Sequence, residues 1–236
     1  MSEELTCVMC GSNENIKMIK DVPICYDCEH KFYNELKYAN DLHGINDLVN
    51  GYKQVIEGLR KLYGVNPNDC NLIDSPRRIS RATMERNFGN NIQASKDLLK
   101  VSFDSNNHYD GLISCNNIRV FSTCPHHFES ISYRVDICYL ANDGKCLGLS
   151  KLPRLCKTLA KSMLLQEDYT NKLLDILESV TGCIGCGVRV EGEHGCIMCR
   201  GVNMPDVSTI TTSLRGVMLA NPSLKTEWLQ SLQNSR

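Results

Sequence analysis

Two groups of cysteine and histidine carry the spacing of metal ligands. Cys7 and Cys10 are followed, after fourteen intervening residues, by Cys25 and Cys28. Four thiolates satisfy a tetrahedral zinc ion completely, so this set predicts a closed, structural site. Gly11 suits a tight knuckle after the first pair. The helical pattern after the second pair points to a treble clef or ribbon. So short a segment has little core of its own, and the metal would supply its folding energy. The second group joins Cys124-Pro125-His126-His127 to Glu193-His194-Gly195-Cys196, about seventy residues later. Cys124 and His127 are three apart in a turn and can reach one ion, and Cys196 can add a third ligand from a strand. Three protein ligands leave a fourth position for water, the arrangement of a catalytic zinc. His194, two residues before Cys196, would share its strand face and also point at the metal, with Cys199 on the opposite face. A second ribbon running from Cys183-x-x-Cys186 to Cys196-x-x-Cys199 is therefore not expected. On spacing alone, core thiols beside two unrelated histidines remain the alternative.

Elements must hold these groups in place. Leu48, Val49, Tyr52, Val55, Ile56, Leu59 and Leu62 recur at helical spacing until Gly64 and Pro67 stop them. A second helix opens at Asp74-Ser75-Pro76, with Ser75 as N-cap and Pro76 in the first turn, and ends at Gly89. Residues 91–108 read as a loop with a short strand. Strands follow at 112–115 and 118–121, broken by Asn116-Asn117, and at 132–140, with a turn at Asn142-Asp143-Gly144. Helices at 150–166 and 170–180 come next, the second capped by Thr170, then a strand pair at 187–191 and 196–202. Two helices on an antiparallel sheet make an α+β domain.

Composition bounds the function. With 26 basic and 27 acidic residues among 236, the net charge is −1, which excludes a large uniform basic field for nucleic acid. No apolar run is long enough to span a membrane. The acidic start, Met1-Ser2-Glu3-Glu4, lacks the apolar stretch of a secretory signal, so a cytoplasmic protein is expected. Fourteen cysteines in a reducing compartment imply metal ligation, catalysis or small apolar packing.

From about residue 48 to 232 the sequence resembles the GTP cyclohydrolase I family. The resemblance rests on Ser75-Pro76-Arg77-Arg78-Ile79, Cys124-x-His126-His127, Gly148-Leu149-Ser150-Lys151-Leu152-Pro153-Arg154, Gln166-Glu167, Glu191-x-x-His194-x-Cys196 and Arg200-Gly201-Val202, in the family's order. It implies a tunnelling fold, an antiparallel sheet with two helices on one face, preceded by N-terminal helices. It also implies pentamers stacked as a decamer, with active sites where subunits meet. On this reading residues 1–42 are a zinc module and linker helix and residues 43–236 the catalytic domain. GTP and water would be the substrates, and zinc the cofactor at both metal sites. The products would be formate and 7,8-dihydroneopterin triphosphate, a precursor for folate, biopterin or deazaguanine synthesis.

The resemblance also implies roles. Cys124, His127 and Cys196 would hold the catalytic zinc. His194 would exchange protons with the imidazole nitrogens, and His126 and Ser150 would serve the later ribose rearrangement. Glu167 would accept from the two adjacent N–H donors of guanine, with Gln166 and Leu149 also at the substrate. Lys151, Arg154, Arg200 and Arg81 would bind the triphosphate, the first two in the opening turn of a helix. Two positions depart from the family: Pro125 stands where glutamate is usual, and Asp168 where arginine is usual. Pro125 motivates a second reading, a relative acting on another purine or pterin. A third is an inactive oligomeric scaffold carrying the zinc module as a binding domain. The module's own partner, nucleic acid or protein, is not written in its residues. Lys17, Lys20 and Lys31 read as a solvated face.

Overall fold

In the N-terminal unit of the computed structural model, Ile16–Ile19 (β1) and Val22–Cys25 (β2) pair antiparallel, with Ile19 opposite Val22. Lys20 and Asp21 between them both have positive φ, 46° and 62°, which matches the twist a two-residue hairpin needs. Tyr26–Lys31 (α1) follows directly. The structure describes residues 5–32, 36, 39, 41–87, 102–104, 109–142 and 145–233. The expected end of the second helix at Gly89, most of the 91–108 loop, and Asp143-Gly144 of the turn lie outside them.

The chain divides into two compact units, Met1–Phe88 and Gly89–Arg236. In the first, Cys7, Met9, Val22, Ile24, Cys28 and Phe32 are buried in one small cluster. Gly44–Tyr63 (α2) ends where the expected stop falls: Gly64, at φ 70°, gives its N–H to the Arg60 carbonyl at 2.9 Å. Ser75–Asn87 (α3) packs on α2, and the hydroxyls of Tyr52 and Thr83 meet at 2.8 Å. Ser75 is already helical and its hydroxyl donates to the Asn71 carbonyl, so it does not cap the helix.

The second unit opens with Ser102–Asp104 (β3), then Leu112–Thr123 (β4), Ser130–Leu140 (β5) and Lys145–Leu147 (β6), which pairs with β3. Lys151–Ala160 (α4) and Gln166–Thr181 (α5) follow, then Gly185–His194 (β7) and the single turn Gly195–Met198 (α6). Thr209–Gly216 (β8), Val217–Ala220 (α7) and Pro222–Gln233 (α8) complete it. The main sheet is antiparallel throughout, in the order β4-β5-β7-β8.

Alternation along β5 decides which face is covered. Ile131, Tyr133, Val135, Ile137 and Tyr139 share a core with Leu155 and Leu159 of α4 and with Leu173 and Leu177 of α5. Each of those leucines is at most 1% exposed, and burying each contributes about 1.5–3 kcal/mol. On the opposite face Cys138 and Leu140 pack against Trp228 and Leu232 of α8. Arg189 bridges Asp136 and Glu191 on that face at 3.3 and 3.4 Å. This is the α+β tunnelling-fold arrangement.

Four expectations need correction. The break at Asn116-Asn117 is a bulge within one continuous strand: Asn117, at φ 59°, gives its N–H to Asp136 Oδ1 at 2.8 Å. The first of the two helices stops at Ala160, and Met163 turns back at φ 49°. Thr170 lies inside α5 and bonds back to the Gln166 carbonyl at 2.8 Å, so the cap position falls on Leu165. Residues 196–202 are a helical turn and loop, not a strand, and the strand that pairs with β7 on the side away from β5 is β8. The β-branched run Thr209-Ile210-Thr211-Thr212 was the available signal for β8.

Candidate active site

Where β4 ends, the chain reverses through a tight turn. The Cys124 N–H reaches the Glu129 carbonyl at 2.8 Å, and the Phe128 N–H reaches the Cys124 carbonyl at 2.9 Å. This loop brings His127 Nδ1 to 3.8 Å from Cys124 Sγ. Cys196 arrives from the other side, on α6. The turn from β7 into α6 depends on Gly195, where an added Cβ would stand 2.9 Å from the Ser130 carbonyl oxygen. Only glycine passes this close to the β5 backbone. Cys196 Sγ then lies 3.9 Å from Cys124 Sγ, and the three donor atoms are all within 4.8 Å of one another. Tetrahedral zinc, with thiolates at about 2.3 Å and imidazole at about 2.0–2.1 Å, needs donor separations of roughly 3.5–3.8 Å. The residues fit such an ion. Cys124 is buried and His127 exposed, so the cluster opens to solvent on the histidine side.

The expected geometry of His194 requires revision because Cys196 is helical: the two do not share a strand face. His194 ends β7, and its placement comes from Gln166 at the start of α5. The Gln166 amide nitrogen donates to the carbonyls of Thr209 at 2.8 Å and Val190 at 3.2 Å, and to the Thr211 hydroxyl at 3.3 Å. Those acceptors orient the amide, so Oε1 faces His194 Nε2 at 2.9 Å. An amide oxygen only accepts, so Nε2 carries the proton and Nδ1 is left as the acceptor. Gly192 makes room, since a Cβ there would fall 2.3 Å from Gln166 Oε1. Burial holds His194 below the ordinary imidazole value, with the Glu167 carboxylate opposing it. Burial thus favours the neutral imidazole, the form able to accept a proton.

A cavity of about 310 Å³ joins these groups. Its walls include Cys124, His126, His127, Gln166, Glu167, His194 and Cys196, with Ile131, Leu164 and Ile197 apolar between them. That is room for a nucleobase in an apolar pocket with a few convergent polar groups. Pro125, the departure from the family, lies in the same wall. Leu149, Ser150, Lys151 and Arg154 are not in this wall. Leu149 is 86% exposed, and Ser150 occupies the cap position of α4 without a side-chain hydrogen bond to it. Arg200 is exposed and acts electrostatically on Cys196. The sequence reading missed Thr209 and Thr211, which hold Gln166.

The four N-terminal cysteines converge as expected of the knuckle, hairpin and helix that carry them. Gly11 turns at φ 80° and returns its N–H to the Cys7 carbonyl at 2.7 Å, while Cys25 closes β2 and Cys28 lies on α1. All four sulfurs lie within 4.8 Å, with Cys10 and Cys25 3.6 Å apart. Arg81 lines a cavity of about 230 Å³ beside Cys10, Cys25 and Cys28. The lysines read as a solvated face are exposed, with surface partners: Lys17 pairs with Glu29, Lys20 donates to the Ala39 carbonyl at 2.8 Å, and Lys31 stands 5.3 Å over the Phe32 ring.

A four-stranded antiparallel sheet with two helices, carrying an open cysteine–histidine triplet beside a nucleobase-sized cavity, defines an α+β enzyme with a candidate metal centre. Residues 52–233 match the family model for GTP cyclohydrolase I. The chain is 32% identical over 188 residues to GTP cyclohydrolase 1 of Pseudoalteromonas translucida strain TAC 125, covering 80% of this chain and 98% of that protein. It is 31% identical to the proteins of that name from Campylobacter concisus strain 13826 and from Thermoanaerobacter pseudethanolicus strain ATCC 33223 / 39E. Each of those matches covers 78% of this chain and 96% of the relative. The chain belongs to the GTP cyclohydrolase I family of enzymes. Among the described residues no helix is long and apolar enough to cross a membrane.

Proposed function

We propose that this enzyme opens the imidazole ring of GTP, releases formate and rearranges the product to 7,8-dihydroneopterin triphosphate. The convergence of His194, His126 and Glu167 on the Cys124–His127–Cys196 triplet carries this reading. A zinc ion held by that triplet would acidify a water near neutral pH and act as a Lewis acid. His194, protonated at Nε2 and free at Nδ1, exchanges protons with the nitrogens of the opening ring. Gln166 is committed at both ends of its amide, so we assign it to orienting His194 rather than to direct guanine contact. Glu167 accepts from the two N–H donors of guanine. Adenine would oppose that carboxylate with a lone pair.

His126, and Ser150 with it, serve proton transfers in the ribose rearrangement. Lys151, Arg154, Arg200 and Arg81 are assigned to the triphosphate. Leu149, Ser150, Lys151 and Arg154 lie outside the cavity wall, and the exposure of Leu149 supports delivery of that segment to the site of a neighbouring subunit. This favours a homo-oligomer, a decamer of stacked pentamers on the family's pattern. Residues 43–236, which take in α2 and α3 of the first compact unit, are assigned to the catalytic domain, acting in the cytoplasm, and residues 1–42 to a module with a closed structural zinc.

Formate release from GTP and from ATP, compared at equal concentration on zinc-replete protein, tests the assignment. Turnover of GTP with little or none of ATP is expected. Glu167→Gln should weaken GTP use by roughly 1–3 kcal/mol, because a donor then faces donors. Comparable turnover of ATP and GTP by the wild type contradicts the role of Glu167. Turnover of a different purine in place of GTP would favour the reading that Pro125 motivates.

A further inference from the structure

The first compact unit runs past the four-cysteine module to Phe88 and takes in α2 and α3. The contacts that join them gather around the cysteines. Cys7, Cys25 and Cys28 are themselves buried members of the N-terminal core cluster. Leu42, just ahead of α2, and Ile45 in its first turn are buried in the same cluster, and Met84 of α3 packs against it. Two turns before Met84, Arg77 lays its guanidinium against the knuckle: a Cβ on Gly11 would stand 3.4 Å from Arg77 Cζ and Nε. Arg81, between them, lines the cavity beside Cys10, Cys25 and Cys28. Residues 77, 81 and 84 fall at i, i+4 and i+7, so one stripe of α3 meets the knuckle, the cavity and the cluster. Thr83, one position round, holds α3 to α2 through Tyr52.

We propose that the partner of the four-cysteine module is the α2–α3 helix pair of its own chain, with zinc on the four sulfurs as the latch that keeps α3 docked. Ligation ties the knuckle at Cys7 and Cys10 to the end of β2 at Cys25 and to α1 at Cys28. Without the ion, nothing covalent joins these three segments, because all four cysteines are free thiols. The knuckle then no longer has a fixed place against Arg77, and the cluster no longer closes over Met84. Where a metal site is not preformed in the open chain, the free energy of binding is free energy of folding. The buried Nε of Arg77 faces the docked side, so this arginine is not an exposed cation presented to nucleic acid.

Linkage makes the effect reciprocal. By whatever factor zinc favours the docking of α3, docking favours zinc by the same factor. The proposal rests on the N-terminal zinc and is independent of which substrate the enzyme takes.

Hydrogen exchange read by mass spectrometry on full-length protein of measured zinc content tests it. Cys25→Ser removes the N-terminal ion, and Cys124→Ser removes the other. In Cys25→Ser the amides of residues 76–87 should exchange at least about tenfold faster than in wild type, with β5 and α5 unchanged. Cys124→Ser should leave 76–87 at the wild-type rate. A second arm leaves all four ligands in place. Arg77→Gln combined with Met84→Ser, made on the Cys124→Ser chain so that only the N-terminal ion is bound, should release zinc to a chelator several-fold faster. Arg78→Gln on the same chain, at an exposed arginine beside Asp74, should not. Wild-type protection of 76–87 in zinc-free Cys25→Ser, or unchanged zinc release after Arg77→Gln with Met84→Ser, overturns the proposal. So does equal loss of protection in β5, since the effect would then not be confined to the first unit. Absence of an N-terminal ion from metal-replete wild type removes the zinc reading itself, and the latch with it.

Discussion

At the scale of single residues, the account separates chemistry from binding. His194 reaches the cavity with one nitrogen fixed on Gln166 and the other free, whereas Arg200 is an exposed cation near Cys196. His194→Ala should abolish formate release, by a factor of roughly 10²–10⁴, while GTP still binds. Arg200→Ala should chiefly weaken GTP binding, by roughly 1.5–3 kcal/mol. Calorimetric affinity and single-turnover formate release on zinc-replete variants distinguish the two. Near-normal formate release from His194→Ala would refute its proton-transfer role. The two metal-ligand sets were legible in the sequence because ligation needs particular residue types at short spacings. The Gln166–His194 bond was not, because it joins the start of a helix to the end of a strand 28 residues on, which no local pattern reports.

At the scale of elements, the turn from β7 into α6 is the part most sensitive to a small change. Gly195→Ala would push a methyl against the Ser130 carbonyl, a backbone atom that cannot yield cheaply. Cys196 would move with α6, so this variant should lose the catalytic metal and keep the N-terminal one. Metal analysis and formate release on the same sample check this; retention of both ions would show that α6 can shift without cost. The helices and β5 were readable from their apolar periodicity. The strand expected at 196–202 was an error of a specific kind: Cys196 to Val202 offered short apolar alternation, but the glycine demanded by the β5 contact ends the strand at His194. Asn116-Asn117 read as a break for a similar reason. A buried Asp136 carboxylate captures the turn-forming residue and keeps the strand continuous.

At the scale of the whole molecule, the described residues hold two sets of candidate metal ligands in separate compact units, one of four sulfurs and one of two sulfurs and an imidazole. The account predicts two zinc ions per chain. Cys25→Ser should lose only the N-terminal ion and keep GTP turnover per folded chain, as read by elemental analysis beside a formate assay. One ion in metal-replete wild type would remove one of the sites. The resemblance across four-fifths of the chain made the fold legible, since its motifs fall in order along the sequence. The division after Phe88 was not legible, because the helical patterns of α2 and α3 do not state which unit they join. The most direct test of the central claim is formate and oxidised-pterin fluorescence from GTP, measured on zinc-replete wild type and Cys124→Ser. Wild type should release formate and yield a fluorescent pterin in equal amounts, and Cys124→Ser should yield neither while retaining its N-terminal zinc. Equal turnover by the two proteins, or no product from fully metallated wild type, would contradict it.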